Sequence, residues 1–79
     1  MNENHISLNQ LPIGRKANVA MLTSDGTIRR RMLDLGIVYG TEIEPLYKSP
    51  SGNPVAYLIR GAVIALRSDV SERIMVSVM

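Results

Sequence analysis

Lys16 and Asn18 interleave with Ala17 and Val19, and the apolar residues continue to Leu22, so the pattern from Lys16 to Leu22 predicts a strand. Ala17, Val19 and Met21 fall on one face of it, and Asn18, Ala20 and Leu22 on the other. Ser24-Asp25-Gly26 breaks the alternation, and Ser24 or Asp25 is placed to cap a following helix. The spacing predicts that helix over Thr27 to Leu35, because Ile28, Met32 and Leu35 recur at i, i+4 and i+7 and share one face. Gly36 suits the residue just past the helix end, where a positive φ is favoured, and Ile37 then packs back on Met32. A second turn follows at Val38-Tyr39-Gly40-Thr41.

The rest of the chain reads as strands. Ile43 to Lys48 is one, and Pro45 within it cannot donate to a ladder, so an edge position or a bulge is expected. Ser49-Pro50-Ser51-Gly52-Asn53-Pro54 is a hairpin loop. Val55, Tyr57 and Ile59 then alternate with Ala56, Leu58 and Arg60. Gly61 permits a sharp bend into Ala62 to Leu66, Ser68-Asp69-Val70-Ser71 makes a helical turn, and Ile74, Val76 and Val78 mark the last strand. Upstream, Leu8 and Leu11 are apolar residues in a polar lead-in that ends in the turn Leu11-Pro12-Ile13-Gly14. About five strands and one short helix fit a mainly β fold, a small SH3-like, partly closed barrel that occupies residues 1–79 as one domain.

Composition narrows what such a barrel can do. A chain of 79 residues supports one thin core. It has no Cys, so thiolate metal sites and cysteine nucleophiles are excluded. Nine Lys or Arg against seven Asp or Glu leave +2, too weak a field for a nucleic-acid binder, and no nucleic-acid partner is expected. There is no Trp or Phe, so an aromatic groove for proline-rich peptides must use Tyr39, Tyr47 and Tyr57. The polar start lacks the order of a secretory signal, and no apolar run is long enough to span a bilayer; a cytoplasmic protein, not inserted in the membrane, is expected. No triad and no phosphate-binding Gly-rich loop is present, so the chain is not expected to be an enzyme.

The run Arg29-Arg30-Arg31-Met32-Leu33-Asp34-Leu35-Gly36-Ile37, followed by Gly40-Thr41, resembles the signature of the FeoA family. Leu11 to Gly14, Ser49 to Pro54, and Arg60-Gly61 leading to Ala65-Leu66-Arg67 agree with it in order and spacing, so the likeness covers about Ile6 to Val78. Tyr39, Asn53 and Pro45 depart from the family pattern, and an edge position of the Pro45 strand would bear on weak self-association. The resemblance implies an SH3-like fold and a role in ferrous iron uptake. It also implies a partner, the membrane permease FeoB, whose cytosolic part is a GTPase. The same module occurs at the C-terminus of metal-dependent repressors, so a regulatory module acting with a repressor or nucleic acid stands as an alternative, beside a generic SH3-like peptide binder.

Within that frame Arg29, Arg30 and Leu33 are the candidate partner-binding residues. Successive helix residues turn by about 100°, so the three arginines do not form one patch: Arg30 faces solvent near Asp34, and Arg31 flanks the apolar stripe. Leu33 lies off that stripe and can seed a protein contact, helped by Leu46, Met75 or Met79. No cofactor is assigned. A divalent transition metal, ferrous iron above all, is left open by imidazole and carboxylate chemistry, but His5 is the only histidine, with Glu3 nearby, and Glu42 and Glu44 are the one close acidic pair on a strand face.

Overall fold

The computed structural model describes residues 5–79. Six antiparallel strands form one sheet in the order β1-β6-β2-β3-β4-β5: β1 (His5–Ser7), β2 (Ala17–Leu22), β3 (Glu42–Lys48), β4 (Val55–Ile59), β5 (Ala62–Leu66) and β6 (Ile74–Val78). Helix α1 (Gly26–Asp34) links β2 to β3, and the turn α2 (Ser68–Ser71) links β5 to β6. One apolar cluster takes side chains from β2 through β6, with Leu8 and Leu11 from the lead-in and Met32 and Ile37 from the helix end. The sheet therefore coils around its core, as in an SH3-like barrel, while β1 and β5 remain as its two open edges.

Six strands rather than five are present. The additional one, β1, is hidden in the polar lead-in: it pairs with β6 from His5↔Ser77 to Ser7↔Met75. A three-residue segment gives too few positions for alternation to stand out. The chain then tightens into a 3-10 turn over Leu8–Gln10, where the Ser7 backbone N–H donates to Gln10 Oε1 at 3.1 Å, and this turn drives Leu8 into the core.

Two bulges reset the alternation. Between Val19 and Met21, β2 advances two residues while β6 advances one, from Val76 to Met75. The extra residue, Ala20, inverts the pattern beyond it: Met21 turns outward, and Leu22, opposite the buried Ile74, packs against the core. The second bulge lies on β3 between Pro45 and Tyr47. Pro45 is thus not at an edge; β3 runs between β2 and β4, and Pro45 is fully buried. The β2–β3 ladder covers only Ala17↔Ile43 and Asn18↔Glu42, so it asks nothing of the Pro45 nitrogen, and the Pro45 carbonyl accepts the Gly14 N–H at 2.8 Å.

Helix α1 starts and stops one residue earlier than its periodicity suggests. Asp25 occupies the N-cap position without a side-chain capping bond. Ser24 does not cap either; its buried hydroxyl lies 3.7 Å from the Met32 sulfur. The C-terminus follows the expected stop. Gly36 has φ +84°, its N–H donates to the Leu33 carbonyl at 3.0 Å, and the Ile37 N–H donates to the Met32 carbonyl at 3.0 Å. This paired closure satisfies two terminal carbonyls and buries Ile37 beside Met32.

Candidate functional site

Three backbone devices converge on one surface. The bulge at Ala20 turns Met21 out of the sheet, the helix end leaves Leu33 on the flank away from the core, and the turn after the helix projects Val38 and Tyr39. Together with Arg29 these residues line a shallow groove of about 410 Å³, floored by Val19, Ala20 and Leu22. Met21, Leu33, Val38 and Tyr39 are 50, 44, 42 and 84% exposed. Four large apolar side chains gathered at one open groove are the mark of a contact surface.

The groove is held in place by a small hydrogen-bond circuit. The Thr41 hydroxyl donates to the Gly36 carbonyl at 3.1 Å and accepts the Val38 N–H at 3.2 Å. The Thr41 N–H closes the turn on the Val38 carbonyl at 3.0 Å. The Gly40 N–H donates to the Val19 carbonyl at 2.8 Å, and the Val19 N–H to the Thr41 carbonyl at 2.9 Å, which ties the turn to β2. Helix end, turn and strand are thereby locked as one unit, so Leu33, Val38 and Met21 are presented in fixed relation.

Of the sequence candidates, Arg29 and Leu33 meet in this groove and Arg30 does not line it. Arg31 faces a different hollow, between α1 and β5, so the arginine run is split around the helix as its geometry requires. Arg30 forms no ion pair with Asp34; among the described residues the one ion pair is Lys16–Glu42 at 3.8 Å. The Arg29 guanidinium is therefore available to a carboxylate from outside.

Leu46, Met75 and Met79 do not line the groove that holds Leu33, although Met75 pairs with Met21 in the β2–β6 ladder. The residues that do complete it, Met21, Val38 and Tyr39, escape a reading by alternation: a regular strand puts Met21 on the face of Ala17 and Val19, and the bulge reverses it. Val38 and Tyr39 carried a signal, two large apolar residues inside a turn, where burial is rare.

The tyrosines do not form an aromatic groove. Tyr39 and Tyr47 are exposed, whereas Tyr57 is 1% exposed and part of the core. Burial pushes the Tyr57 phenol above its ordinary pKa, and a hydrogen bond with Ser71 offsets part of the rise. Among the described residues no three His, Cys, Asp or Glu side chains cluster as metal ligands. His5 pairs with Ser77 in the β1–β6 ladder, and Glu3 lies outside the described residues. Glu42 and Glu44 do share a face, opening on a hollow with Leu58 and Arg60. Nor does any helix of the described residues have the length and apolarity to cross a membrane.

The coiled six-stranded sheet, with its apolar, arginine-flanked groove, defines a small SH3-like domain. The sequence matches the FeoA domain over residues 6–78, and the chain belongs to the FeoA family, one of small accessory proteins rather than a known enzyme family. It is 37% identical to a FeoA-like protein from Clostridium acetobutylicum, with a TM-score of 0.90 over 100% of this chain and 91% of that one. It is 29% identical to Stenotrophomonas maltophilia FeoA, a procaryotic SH3 domain protein solved in complex with zinc (TM-score 0.82, 91% of this chain and 89% of that one). The fold alone is shared with T. acidophilum IdeR: TM-score 0.85 at 20% identity, over 100% of this chain and 36% of that one. No curated protein matches the sequence.

Proposed function

We propose that this chain is a cytoplasmic accessory protein of ferrous iron uptake that docks on the cytosolic part of FeoB through the Arg29–Leu33 groove and modulates its GTPase or permease activity. The observation that carries the reading is the groove itself: Met21, Leu33, Val38 and Tyr39 exposed around one hollow, with Arg29, in no ion pair among the described residues, on its rim, in a chain of the FeoA family. The apolar centre supplies desolvation on contact, and the arginine supplies orientation toward an acidic group of the partner. Ferrous iron is the cargo of the process, and no residue of this chain is assigned to hold it. The zinc-complexed Stenotrophomonas maltophilia protein supports testing divalent metals as modulators of docking.

The test is isothermal titration of the purified chain with the cytosolic part of FeoB, with GTP, with GDP and without nucleotide. Saturable association that Leu33→Glu abolishes supports the proposal. No association of the folded chain in any nucleotide state overturns it.

A further inference from the structure

On the opposite flank of α1 a second groove, of about 330 Å³, separates the helix from β5. Ile28 and Leu35 line one wall, Ile64 and Leu66 the other, and Arg31, Arg67 and Asp69 are among its lining side chains. No ion pair engages those two arginines, since Lys16–Glu42 is the one pair among the described residues. Beside the groove runs the free edge of β5, whose five residues are all apolar and whose Val63 is 58% exposed.

The edge has a defined hydrogen-bonding frame. Arg60 and Gly61, at φ +52° and +82°, form the two-residue turn between β4 and β5. Such a turn makes Ile59 and Ala62 the closing bonded pair, so Ile64 and Leu66 also direct their backbone groups toward β4. Val63 and Ala65 consequently direct both N–H and C=O outward, and an added strand finds two full sets of partners. Its residues opposite Ile64 and Leu66 face the groove.

We propose that this edge and groove form a strand-addition site for an extended peptide segment, antiparallel to β5, with apolar residues facing the groove and carboxylates at the end that meets Arg31 and Arg67. It is a separate surface from the Arg29–Leu33 groove. Charge selects this occupant over a second copy of the chain. Pairing Val63 with the copy's Ala65 sets Arg67 opposite Gly61, beside the copy's Arg60, at both ends of the ladder. Like charges face each other there, whereas acidic residues in a foreign strand are attracted. Main-chain bonds then supply affinity, and the groove with its arginines supplies specificity.

The probe is the blocked peptide Asp-Asp-Thr-Val-Thr-Val-Thr, titrated into the ¹⁵N-labelled chain. The expected result is saturable shifts centred on the Val63 and Ala65 amides, with slowed hydrogen exchange there, at a dissociation constant at or below about 1 mM. The double variant Arg31→Glu/Arg67→Glu weakens binding by about tenfold or more and binds a Lys-Lys-flanked version of the peptide instead. N-methylation of the peptide amides that face Val63 and Ala65 abolishes binding. The proposal is overturned if the N-methylated peptide binds as well as its parent, or if shifts map to Met21 and Leu33. Concentration-dependent protection of Val63 and Ala65 without peptide overturns it in favour of self-association.

Discussion

A β-carbon at Gly36 would stand 2.6 Å from Arg60 Cδ, so the stop of the helix and the turn of the β4–β5 hairpin share one confined space. Gly36 also sits at φ +84°, where an L side chain is strained whatever room it has. Gly36→Ala should lower stability by about 1–2 kcal/mol, most of it backbone strain because the arginine stem can move aside. In an Arg60→Ala background the cost should shrink by the steric part alone. Urea unfolding of the four members of this double-mutant cycle measures that coupling; an unchanged cost would mean the contact carries no energy.

Arg60 itself adopts φ +52°, a left-handed conformation that asparagine tolerates better than arginine. Arg60→Asn should stabilise the hairpin by about 0.5 kcal/mol, which for a domain of this size is a rise in Tm of about 2–4 °C. Thermal unfolding followed by circular dichroism reads it directly.

Thr41 tests how tightly the proposed docking groove is built. Replacing it with the near-isosteric Val leaves the Gly36 carbonyl and the Val38 N–H without their hydroxyl partner. Thr41→Val should cost about 1–3 kcal/mol and raise amide exchange at Val38. It should also weaken FeoB association although Thr41 is buried away from the surface. Unaltered exchange at Val38 would show that the turn holds without the side chain.

The groove residues themselves should behave in the opposite way. Met21→Ser and Leu33→Ser remove exposed apolar groups and should move stability by no more than about 0.5 kcal/mol. Their association with the cytosolic part of FeoB should weaken by more than about tenfold if they are central to the contact. Arg30→Ala, on a side chain outside the groove, should leave affinity within about twofold.

Tyr57 predicts an alkaline limit to stability. Its folded-state pKa is raised above the ordinary 10.0 because the buried phenol resists ionisation. The unfolded chain therefore loses this proton first as pH rises, and stability falls from about pH 10 upward, until the folded phenol ionises as well. Tyr57→Phe should be less stable at neutral pH, through the lost bond with Ser71, and should show a shallower alkaline decline. Urea midpoints between pH 8 and pH 11 distinguish the two slopes.

The legible parts of this molecule are those where a local rule and the global fold agree. The helix with its Gly36 stop, the turn at Gly40, the last three strands and the helical turn at Ser68 follow from periodicity and turn chemistry. Four apparent exceptions have physical causes. Strand β1 is too short to show a period, and Ser24 serves a buried contact with Met32 instead of a cap. Pro45 sits inside the sheet because the ladder beside it ends early, and Met21 faces out because a bulge precedes it. The candidate groove is half legible for the same reason. Arg29 and Leu33 follow from helix geometry, whereas their neighbours depend on a register shift that only the partner strand defines.

That register shift has a further consequence at Ala20. The single unpaired residue acts as a phase inserter, deciding which of two adjacent apolar side chains is spent on the interior and which on the exterior. A ladder that ran regularly through Ala20 would instead turn Met21 inward and Leu22 outward while leaving their chemistry untouched, disturbing groove and core in one step. With the insertion present, position 21 is released from the volume constraints of the interior. The contact surface can then be retuned, to polar, aromatic or charged, without renegotiating the packing that holds the barrel closed.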